Sequence, residues 1–530
     1  MNREKRWIQA AVCLLLTAGL FAGSLTTDKG QGKPIDDAYR CWYEIFPGSF
    51  YDSNGDGKGD LEGICQKLDY VEELGFNGIW LTPVMASGSY HRYDVTDYEQ
   101  IDTELGTMAD FEKLVKECHE RGIRLILDLP FNHTSSEHPW FKESCAYLES
   151  LQPGEAPDAS VCPYVEYYHF ERDREGIASW YPVGDSGWYY EGVFWSGMPD
   201  LALETEAVLK EVEAVFDFWL EKGVDGFRLD AAKEYFTGEA QKNIELLGRF
   251  TEHVKKAAPD GYLVAEVWEG QSVLQEYYKS GIDSLFHFPA AQQDGAIVKT
   301  AKGMVEPGEF FSWIQRHQEQ DRISNPDYID APFISNHDTT RVSAQCVNDE
   351  RTMKLAAGLL MMMPGSPFVY YGEELGMKSM GTKDENKRLP MYWTDSDGKG
   401  VTVAPEGADA VGHIFPPADV QEKDENSIYH YYKEAIAVRN RHPEIARGTA
   451  EPLGQDFPEH TGAMKMTWED RSCIIVCNNG KNAAHIDLRK CLGEGEYRMT
   501  DMLMTGEQKA GLTDGILALP EAGIAVLEKG

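Results

Sequence analysis

The chain has 530 residues, with 88 acidic and 50 basic side chains, a formal net charge of −38 and a pI near 4.7. Such an acidic protein repels phosphate backbones and anionic membrane surfaces, which argues against nucleic-acid binding and against a role on lipid surfaces. Neutral substrates stay open, and the length predicts one large domain of roughly 200 to 400 residues with smaller attachments.

The N-terminus has the pattern of a secretory signal peptide. Arg3, Lys5 and Arg6 precede a 14-residue apolar stretch, AAVCLLLTAGLFAG, and small residues follow it. A membrane span needs about 20 residues, so this stretch is short for one. We therefore expect residues 1–24 to be a signal peptide and the protein to be secreted and extracellular. If the segment stayed uncleaved, it would instead hold the protein at the membrane.

The cysteines assign no disulfide pattern. Loss of Cys13 with the signal peptide leaves nine, without CxxC or Cys/His metal spacing. Cys473 and Cys477 lie four apart in a predicted strand and therefore share one face, which favours two core thiols over a bridge.

Between residues 39 and 374, short apolar runs that end in polar residues alternate with amphipathic helical stretches. The eight runs are YRCWYEIFPGSF, FNGIWLTPV, GIRLILDLPFNH, GVDGFRLD, GYLVAEVWE, IDSLFHFP, APFISNHD and SPFVYYGEE. The helical stretches mostly end in glycine. This alternation predicts an α/β fold, a (β/α)₈ TIM barrel, over residues 25–134 and 198–446.

Two segments depart from that alternation. A long stretch rich in Pro, Gly, Tyr and acidic residues precedes the helix near Glu204, and a loop of that length carries its own structure. We therefore predict a small inserted domain after strand 3, over residues 135–197. The short alternating runs AMKMTW, CIIVCN, AAHIDL, YRMTDML and GIAVLE then predict a C-terminal antiparallel β-sandwich domain over residues 447–530.

Polar and charged residues end four of the predicted strands. In such a barrel the active site lies at the C-terminal ends of the strands, so these side chains should converge. A single one would more often be a helix cap or a loop hydrogen bond, but their joint occurrence favours an active site. They are Asp128, Asn132, His133, Arg228, Asp230, Glu266, His337 and Asp338.

Five segments occur in an order that is specific to one family. They are DLPFNH at 128–133, MPDL at 198–201, GFRLDAAK at 226–233, EVW at 266–268 and FISNHD at 333–338, supported by SYHRYDVTDY at 89–98. In them the chain resembles the α-amylase family of glycoside hydrolases, and in pattern its branch between oligo-1,6-glucosidases and neopullulanases. The resemblance spans residues 39–445. It implies cleavage of α-glucosidic bonds with retention of configuration, with Asp230 as nucleophile and Glu266 as general acid/base.

The chemistry agrees with these two roles. A retaining glycosidase needs an ionised and a protonated carboxyl group roughly 5 to 5.5 Å apart, which neighbouring strand ends can supply. Arg228 lies two residues before Asp230 on the same strand face, so its guanidinium can hold that carboxylate ionised and aimed. Glu266 has no adjacent cation in the sequence and is flanked by apolar residues, which favours its protonated form.

The resemblance implies further contacts with the sugar at the cleavage point. Asp338 would bind its hydroxyls and help to distort its ring, Tyr93 would lie under it, and Lys233 would reach the sugar on the leaving side. Arg92 stands where the family usually has glycine, which predicts a side chain near the mouth of the site. The complete predicted substrate-binding set is His91, Tyr93, Asp128, His133, Arg228, Lys233 and His337, beside the catalytic Asp230, Glu266 and Asp338.

The loop DSNGDGKGD, residues 52–60, alternates oxygen donors with glycines, a pattern that can wrap a hard cation such as Ca²⁺. A solvated acidic turn is the alternative. Similar loops in oligo-1,6-glucosidase-like members bind calcium, which implies as ligands the side chains of Asp52, Asn54, Asp56 and Asp60 and the carbonyl of Lys58. A second calcium, held in many amylases between the barrel and the inserted domain, would use Asn132, Asp200 and a carbonyl near Glu234.

Within the family, the AAK after the predicted nucleophile favours an α-amylase that acts on starch-like α-glucans and maltooligosaccharides. The alternatives are an exo-acting α-glucosidase, a cyclomaltodextrinase or a 4-α-glucanotransferase. Some barrel relatives lack the carboxylates and serve as membrane-anchored partner subunits, but Asp230, Glu266 and Asp338 argue against that role here. We expect a monomer without nucleic-acid partners and without stable membrane insertion.

Overall fold

A computed structural model describes residues 30, 32–152, 154–379, 381–396, 398 and 400–530 of the chain. The predicted signal peptide, residues 1–24, lies outside the described residues. Of the helices that are described, none combines the length and the apolar character needed to cross a lipid bilayer.

The described strands, in chain order, are β1 (Trp42–Ile45), β2 (Gly78–Leu81), β3 (Met85–Ser87), β4 (Val95–Ile101), β5 (Arg124–Leu129), β6 (Phe170–Glu171), β7 (Trp180–Pro182), β8 (Tyr189–Glu191), β9 (Gly226–Leu229), β10 (Tyr262–Ala265), β11 (Ser284–Leu285), β12 (Phe368–Tyr370), β13 (Thr449–Leu453), β14 (Thr461–Trp468), β15 (Arg471–Asn478), β16 (Ala484–Asp487), β17 (Tyr497–Met504), β18 (Gly511–Thr513), β19 (Ile516–Leu519) and β20 (Gly523–Lys529).

The described α-helices are α1 (Leu61–Gln66), α2 (Leu68–Leu74), α3 (Met108–Glu120), α4 (Pro139–Ser150), α5 (Glu206–Glu221), α6 (Ala240–Ala257), α7 (Gln271–Tyr277), α8 (Ala296–Ala301), α9 (Pro307–Ser324), α10 (Val342–Gln345), α11 (Glu350–Met361), α12 (Ala418–Gln421), α13 (Ile428–Arg441), α14 (Pro443–Arg447) and α15 (Leu488–Leu492).

The barrel is a parallel sheet that curls round on itself. Its strands follow the order β11-β10-β9-β5-β2-β1-β12. The predicted seventh run, residues 331–338, forms no regular strand; two isolated parallel bridges, Phe286 with Ala331 and Phe333 with Phe368, link β11 to β12 through it. The (β/α)₈ barrel is therefore confirmed, although one of its eight predicted staves contributes only single bridges.

The inside of the barrel is packed with large side chains, among them Trp42, Trp80 and Phe368, all nearly inaccessible to solvent. Strand β9 packs very closely against β10 where it begins. Gly226 has φ 149°, and a Cβ atom there would lie 1.9 Å from the carbonyl oxygen of Tyr262, so only glycine fits. This close start sets the position of the strand that ends at Asp230.

Between β5 and α5 lie helix α4 and a three-stranded antiparallel sheet, β6-β8-β7. After α14 the chain forms a five-stranded sheet, β13-β14-β15-β20-β17, and a three-stranded sheet, β16-β19-β18. The five runs predicted for the C-terminal domain all contain strands, which confirms its antiparallel β character. The exact domain boundaries stay predictions.

Both cysteines that the sequence placed in one strand, Cys473 and Cys477, are buried in β15 as free thiols. The described cysteines as a group, residues 41 to 491, form no disulfide.

Candidate active site

A pocket of about 540 Å³ opens at the C-terminal ends of the barrel strands. Six of the predicted site residues line it, and they come from segments far apart in the sequence. They are His91, Tyr93, His133, Asp230, Glu266 and Asp338. The barrel therefore brings together side chains that the sequence only suggested would converge.

Asp230 lies directly after β9 and is held by the fully buried Arg228. Arg228 Nη1 donates to Asp128 Oδ1 at 2.7 Å and also contacts Asp230 Oδ1. Burial disfavours the charge of the guanidinium, but the two carboxylates raise the pKa of Arg228 well above its usual value. Arg228 is thus a fixed cation beneath Asp230.

Glu266 follows β10, and its Oε2 accepts a hydrogen bond of 3.1 Å from the backbone N–H of Ala231. Ala231 has φ 44°, an uncommon conformation for a residue with a side chain, and it follows the predicted nucleophile directly. Burial raises the pKa of Glu266 to about 7, although Arg228 opposes the shift. The predicted direction of this pKa is therefore confirmed.

The fold brings to Glu266 a cation that the neighbouring sequence lacks. Arg228 Nη2 lies 3.0 Å from Glu266 Oε2, in an ion pair without hydrogen-bond alignment. The sequence could not show this because the two residues stand on different strands. One guanidinium therefore faces both carboxyl groups, with Nη1 toward Asp230 and Nη2 toward Glu266.

Asp338 lies on another wall of the pocket and contacts two cations. Arg388 Nη2 donates to its Oδ1 at 2.8 Å, and His337 Nε2 lies 2.9 Å from its Oδ2. Burial favours the protonated acid, but His337 and Arg388 hold the pKa of Asp338 well below its usual range. Burial also disfavours a charged His337, yet Asp338 and Glu44 raise the pKa of its imidazole to about 10.

Tyr93, His91 and His133 form a polar wall near Asp338. The Tyr93 hydroxyl donates to Asp128 Oδ2 at 2.9 Å, and the Tyr93 ring stacks on His337 with centroids 5.5 Å apart. Burial lowers the pKa of His91 to about 4 and also lowers the pKa of His133, so both rings are neutral near pH 7.

Four predicted substrate-contacting residues are absent from the pocket surface. Asp128, Arg228 and His337 are fully buried beneath it, so they position other side chains. Lys233 does not line the pocket either, and its Nζ lies 2.9 Å from Glu269 Oε1. The direct substrate contacts expected of these four residues stay predictions.

The side chain expected at the mouth from Arg92 is corrected. Arg92 is only 4% exposed and lies 3.2 Å from Glu104, turned away from the pocket. Its φ of 63° lies in the left-handed region that favours glycine, which explains why glycine is usual in the family at this place.

Several pocket residues were not predicted as site residues. Met198 and Trp268 lie in the motifs MPDL and EVW but were assigned no role, whereas Phe194, Trp195, Asp384, Lys387 and Arg388 follow no barrel strand of the predicted pattern. Phe194, Trp195 and Trp268 are each at least 41% exposed, which is unusual for such large apolar rings. Glu44, which holds His337 at 2.6 Å, had a usable signal: it is a lone acid inside the apolar strand β1.

The loop at residues 52–60 has the donor chemistry of a calcium site. Asp52 and Asp60 are 2% and 5% exposed, and in the described part of the chain no Lys, Arg or His nitrogen lies within 4 Å of either. Their oxygens accept backbone N–H groups, such as those of Gly55 and Gly63, both at 2.6 Å. Buried carboxylates without a cationic side chain are unfavourable, so this loop fits a bound cation.

In that loop Asn54 and Asp56 are exposed, and the Lys58 side chain turns outward to pair with Glu104. The Lys58 carbonyl is therefore the part of this residue that could face an ion. At the second predicted site, Asn132 Nδ2 donates to Asp200 Oδ1 at 3.0 Å, so the two residues are neighbours, and burial raises the pKa of Asp200 to about 7.

A model of the α-amylase catalytic domain matches residues 44–448. The chain belongs to the α-amylase family. It is 40% identical over 447 residues to α-amylase 3 of Dictyoglomus thermophilum, which covers 82% of this chain and 84% of that protein. It is 30% identical over 519 residues to the oligo-1,6-glucosidase of Parageobacillus thermoglucosidasius, with 82% and 89% coverage.

Solved structures of α-amylase family members agree with this assignment. Eubacterium rectale Amy13B shares 40% identity with a TM-score of 0.90, and the match covers 94% of this chain and 98% of that one. An α-amylase from H. orenii shares 33% identity with a TM-score of 0.80, over 93% and 100% of the two chains. The resemblance seen in the motifs is thus confirmed.

Proposed function

We propose that this α-amylase family chain is a retaining glycoside hydrolase that cleaves α-1,4-glucosidic bonds in starch-like α-glucans and maltooligosaccharides. The observation that carries the proposal is the pair of carboxyl groups around Arg228. Asp230 lies against a fully buried guanidinium, while burial raises the pKa of Glu266 to about 7, so that a large fraction of Glu266 carries a proton at neutral pH. One ionised and one protonated acid in one pocket is what double displacement requires.

In the first step, the Asp230 carboxylate attacks the anomeric carbon. The bond from that carbon to the bridging oxygen breaks, and the proton of Glu266 passes to that oxygen as it leaves. The products are a covalent glycosyl ester on Asp230 and a shortened glucan. Glu266 is then ionised and can act as a base.

In the second step, Glu266 removes a proton from water, whose oxygen attacks the anomeric carbon and releases Asp230. Two inversions give net retention. Asp338, ionised by its two cationic neighbours, accepts hydrogen bonds from hydroxyls of the sugar at the cleavage point. Tyr93 and His133 complete this wall, whereas Asp128, His337 and Arg228 act from beneath it.

The alternative functions use the same covalent intermediate. A 4-α-glucanotransferase passes the glycosyl group to a sugar hydroxyl, and the exposed Trp268, stacked on Phe288 at 4.8 Å beside Glu266, offers an acceptor surface. An exo-acting α-glucosidase or a cyclomaltodextrinase differs in how the chain enters. The three carboxyl groups in the pocket disfavour a non-enzymatic partner subunit.

The proposal extends to calcium. Asp52, Asn54, Asp56 and Asp60, with the Lys58 carbonyl, would hold Ca²⁺ in the loop before α1, where the ion would neutralise buried carboxylates. It takes no part in the reaction. A second ion at Asn132 and Asp200 stays a prediction, which calcium stoichiometry in wild type and Asp200→Asn would decide.

Secretion and assembly are also proposed rather than tested. The protein would be exported with cleavage after about residue 24 and act outside the cell as a monomer. Mass spectrometry of the mature N-terminus and light scattering of the purified protein check these two points. An intact N-terminus in the membrane fraction would overturn secretion.

The function is tested by trapping the intermediate. A fluorinated maltosyl substrate should add one glycosyl group to the peptide that contains Asp230, and starch digestion should release products of α configuration first. Asp230→Asn should show no label and at least about 1000-fold lower activity. A label on another residue, or initial β products, would overturn the mechanism.

A further inference from the structure

A second groove lies beside the active-site pocket, between helices α8 and α9. It has a volume of about 650 Å³, and we call it the α8–α9 groove; its wall includes Pro289, Asp294, Lys299, Glu309, Trp313 and Arg316. One residue of the groove wall directly follows, in the chain, a residue that packs against the wall of the pocket. Phe288, which stacks beneath the pocket residue Trp268, is followed at once by Pro289. Phe288 therefore connects a residue of the pocket wall, through its ring contact, with a residue of the groove wall, through the chain.

The floor of the groove contains a partly exposed aromatic ring on a rigid support. Trp313 stacks on the buried His287, with ring centroids 5.1 Å apart and an angle of 22°. His287 in turn is fixed by Asp330, 2.9 Å from its Nδ1. A rigid indole loses little conformational entropy on binding, and it can cover the apolar C–H face of a sugar ring.

Four charged side chains line the groove together with this ring, and none of them is paired within the described part of the chain. Within the described residues, Asp294, Lys299, Glu309 and Arg316 make neither an ion pair within 4 Å nor a side-chain hydrogen bond. Elsewhere on this barrel charged residues commonly pair, as Arg249 does with Glu206 and Glu213. Two acids and two bases sum to no net charge, which suits a neutral ligand rich in hydroxyl groups better than an ion.

We propose that the α8–α9 groove is a second α-glucan-binding site, which holds a distant part of the same long chain whose bond lies in the pocket. The choice of ligand rests on the proposed function, because that function makes α-glucan the neutral polyhydroxyl chain at this end of the barrel. Two linked contacts raise the local concentration of substrate at the pocket. The groove therefore favours long glucans over short ones.

The test compares Trp313→Ala with Trp468→Ala, which removes the same ring from the C-terminal sheet. Both are made in the Glu266→Gln background, so that starch is not consumed, and run in native gels that contain soluble starch. Trp313→Ala should weaken retardation by starch about fivefold or more, whereas Trp468→Ala should match the parent. In the active enzyme, Trp313→Ala should raise KM for starch and leave maltotriose kinetics unchanged.

If starch retards the parent and Trp313→Ala equally, the proposal that the groove binds α-glucan is wrong. If Trp313→Ala also impairs maltotriose cleavage, the double variant Asp294→Ala with Glu309→Ala decides, because only exposed side chains change; unaltered starch binding by it overturns the proposal. The two proposals fail separately. If the protein cleaves no α-glucan but starch still retards it in a Trp313-dependent way, the proposed hydrolase function is wrong and the proposed groove site stands.

Discussion

Glu266 and Asp338 stand on two walls of one pocket, yet their surroundings act on them in opposite directions. At the Glu266 wall, burial outweighs a single guanidinium and raises the pKa of the acid. At the Asp338 wall, an imidazolium and a guanidinium together outweigh burial and lower the pKa of the acid. At both carboxyl groups burial alone favours the protonated form, so the number and aim of the cations decide the protonation state.

The difference shows how one protein surface supplies an acid and an anion at the same pH. Arg228 is shared among Asp128, Asp230 and Glu266, so its single charge is divided among three carboxyl groups. Arg388 and His337 serve Asp338 with direct contacts of 2.8 and 2.9 Å. Cations are therefore plentiful where an anion is needed and scarce where a proton must be kept.

The largest expected effect comes from removing the carboxyl group of Glu266, the acid whose pKa is raised. Glu266→Gln keeps the size of the side chain but has no proton to give to the leaving oxygen. Starch cleavage should fall by about 10² to 10⁴ fold, whereas glycosides with good leaving groups should still form the intermediate. Steady-state kinetics on starch and on an activated aryl maltoside measure the contrast. Equal losses on both substrates would contradict the acid role.

The next effect comes from the opposite wall. Arg388→Gln removes one of the two cations at Asp338 and leaves His337 in place. Loss of a charge-assisted hydrogen bond should lower kcat/KM by about 10 to 100 fold. Because Arg388, after His337, lowers the pKa of Asp338, its loss should raise that pKa and move the protonation of Asp338, and any acidic limb that it sets, to higher pH.

Lys387 is the matched control for Arg388. Its Nζ donates to the backbone carbonyl of Asp338 at 2.7 Å, so it leaves the carboxylate itself untouched. Lys387→Met should therefore lower activity less and leave the acidic limb in place. If the acidic limb of the Arg388→Gln profile were unchanged, Arg388 would not be what lowers the pKa of Asp338.

Motif spacing predicted the barrel and its three central acids because each acid follows, or nearly follows, a buried strand. Asp230 and Glu266 come one residue after β9 and β10, and Asp338 ends the segment that bridges β11 to β12. Parallel strands of a barrel bring such positions to one end. Strand periodicity and turn residues are local signals, so the sequence contains them directly.

The residues that escaped prediction are positioned by long-range packing. Arg388 reaches Asp338 from an irregular segment beyond β12, and Phe194 and Trp195 reach the pocket from the inserted domain. An aromatic residue in a sequence is more often buried than exposed at a site, so its letter alone does not distinguish the two. The contact between Arg228 and Glu266 was missed for the same reason, since Arg228 belongs to the neighbouring strand.

In the unmodified enzyme, the raised pKa of Glu266 should set the alkaline limb of the kcat/KM profile against pH. Glu266 must be protonated to act, and the acid form is lost as pH rises through its pKa, which burial places at about 7. Above that pH, kcat/KM should fall about tenfold per unit. The limb should be missing in Glu266→Gln. A profile that stays flat to pH 9 would contradict a burial-raised acid.

The smallest effect concerns a third group of buried carboxylates, which lacks side-chain cations altogether. Asp52 and Asp60 in the 52–60 loop accept hydrogen bonds from neutral donors only, namely backbone N–H groups and, at Asp60, the Ser53 hydroxyl, so a bound Ca²⁺ would take the place that Arg388 and His337 take at Asp338. An ion that binds only the folded state stabilises it by mass action, about 2.7 kcal/mol at 100 times Kd.

Removal of Ca²⁺ with a chelator should therefore lower the Tm by a few degrees. It should leave the acidic and alkaline limbs of the activity–pH profile unchanged, since the loop lies outside the pocket. In Asp52→Asn the Tm should be low already and insensitive to chelator. If the wild-type Tm were the same with and without chelator, the neutral hydrogen-bond donors would suffice to hold these carboxylates, and no metal would be needed in this loop.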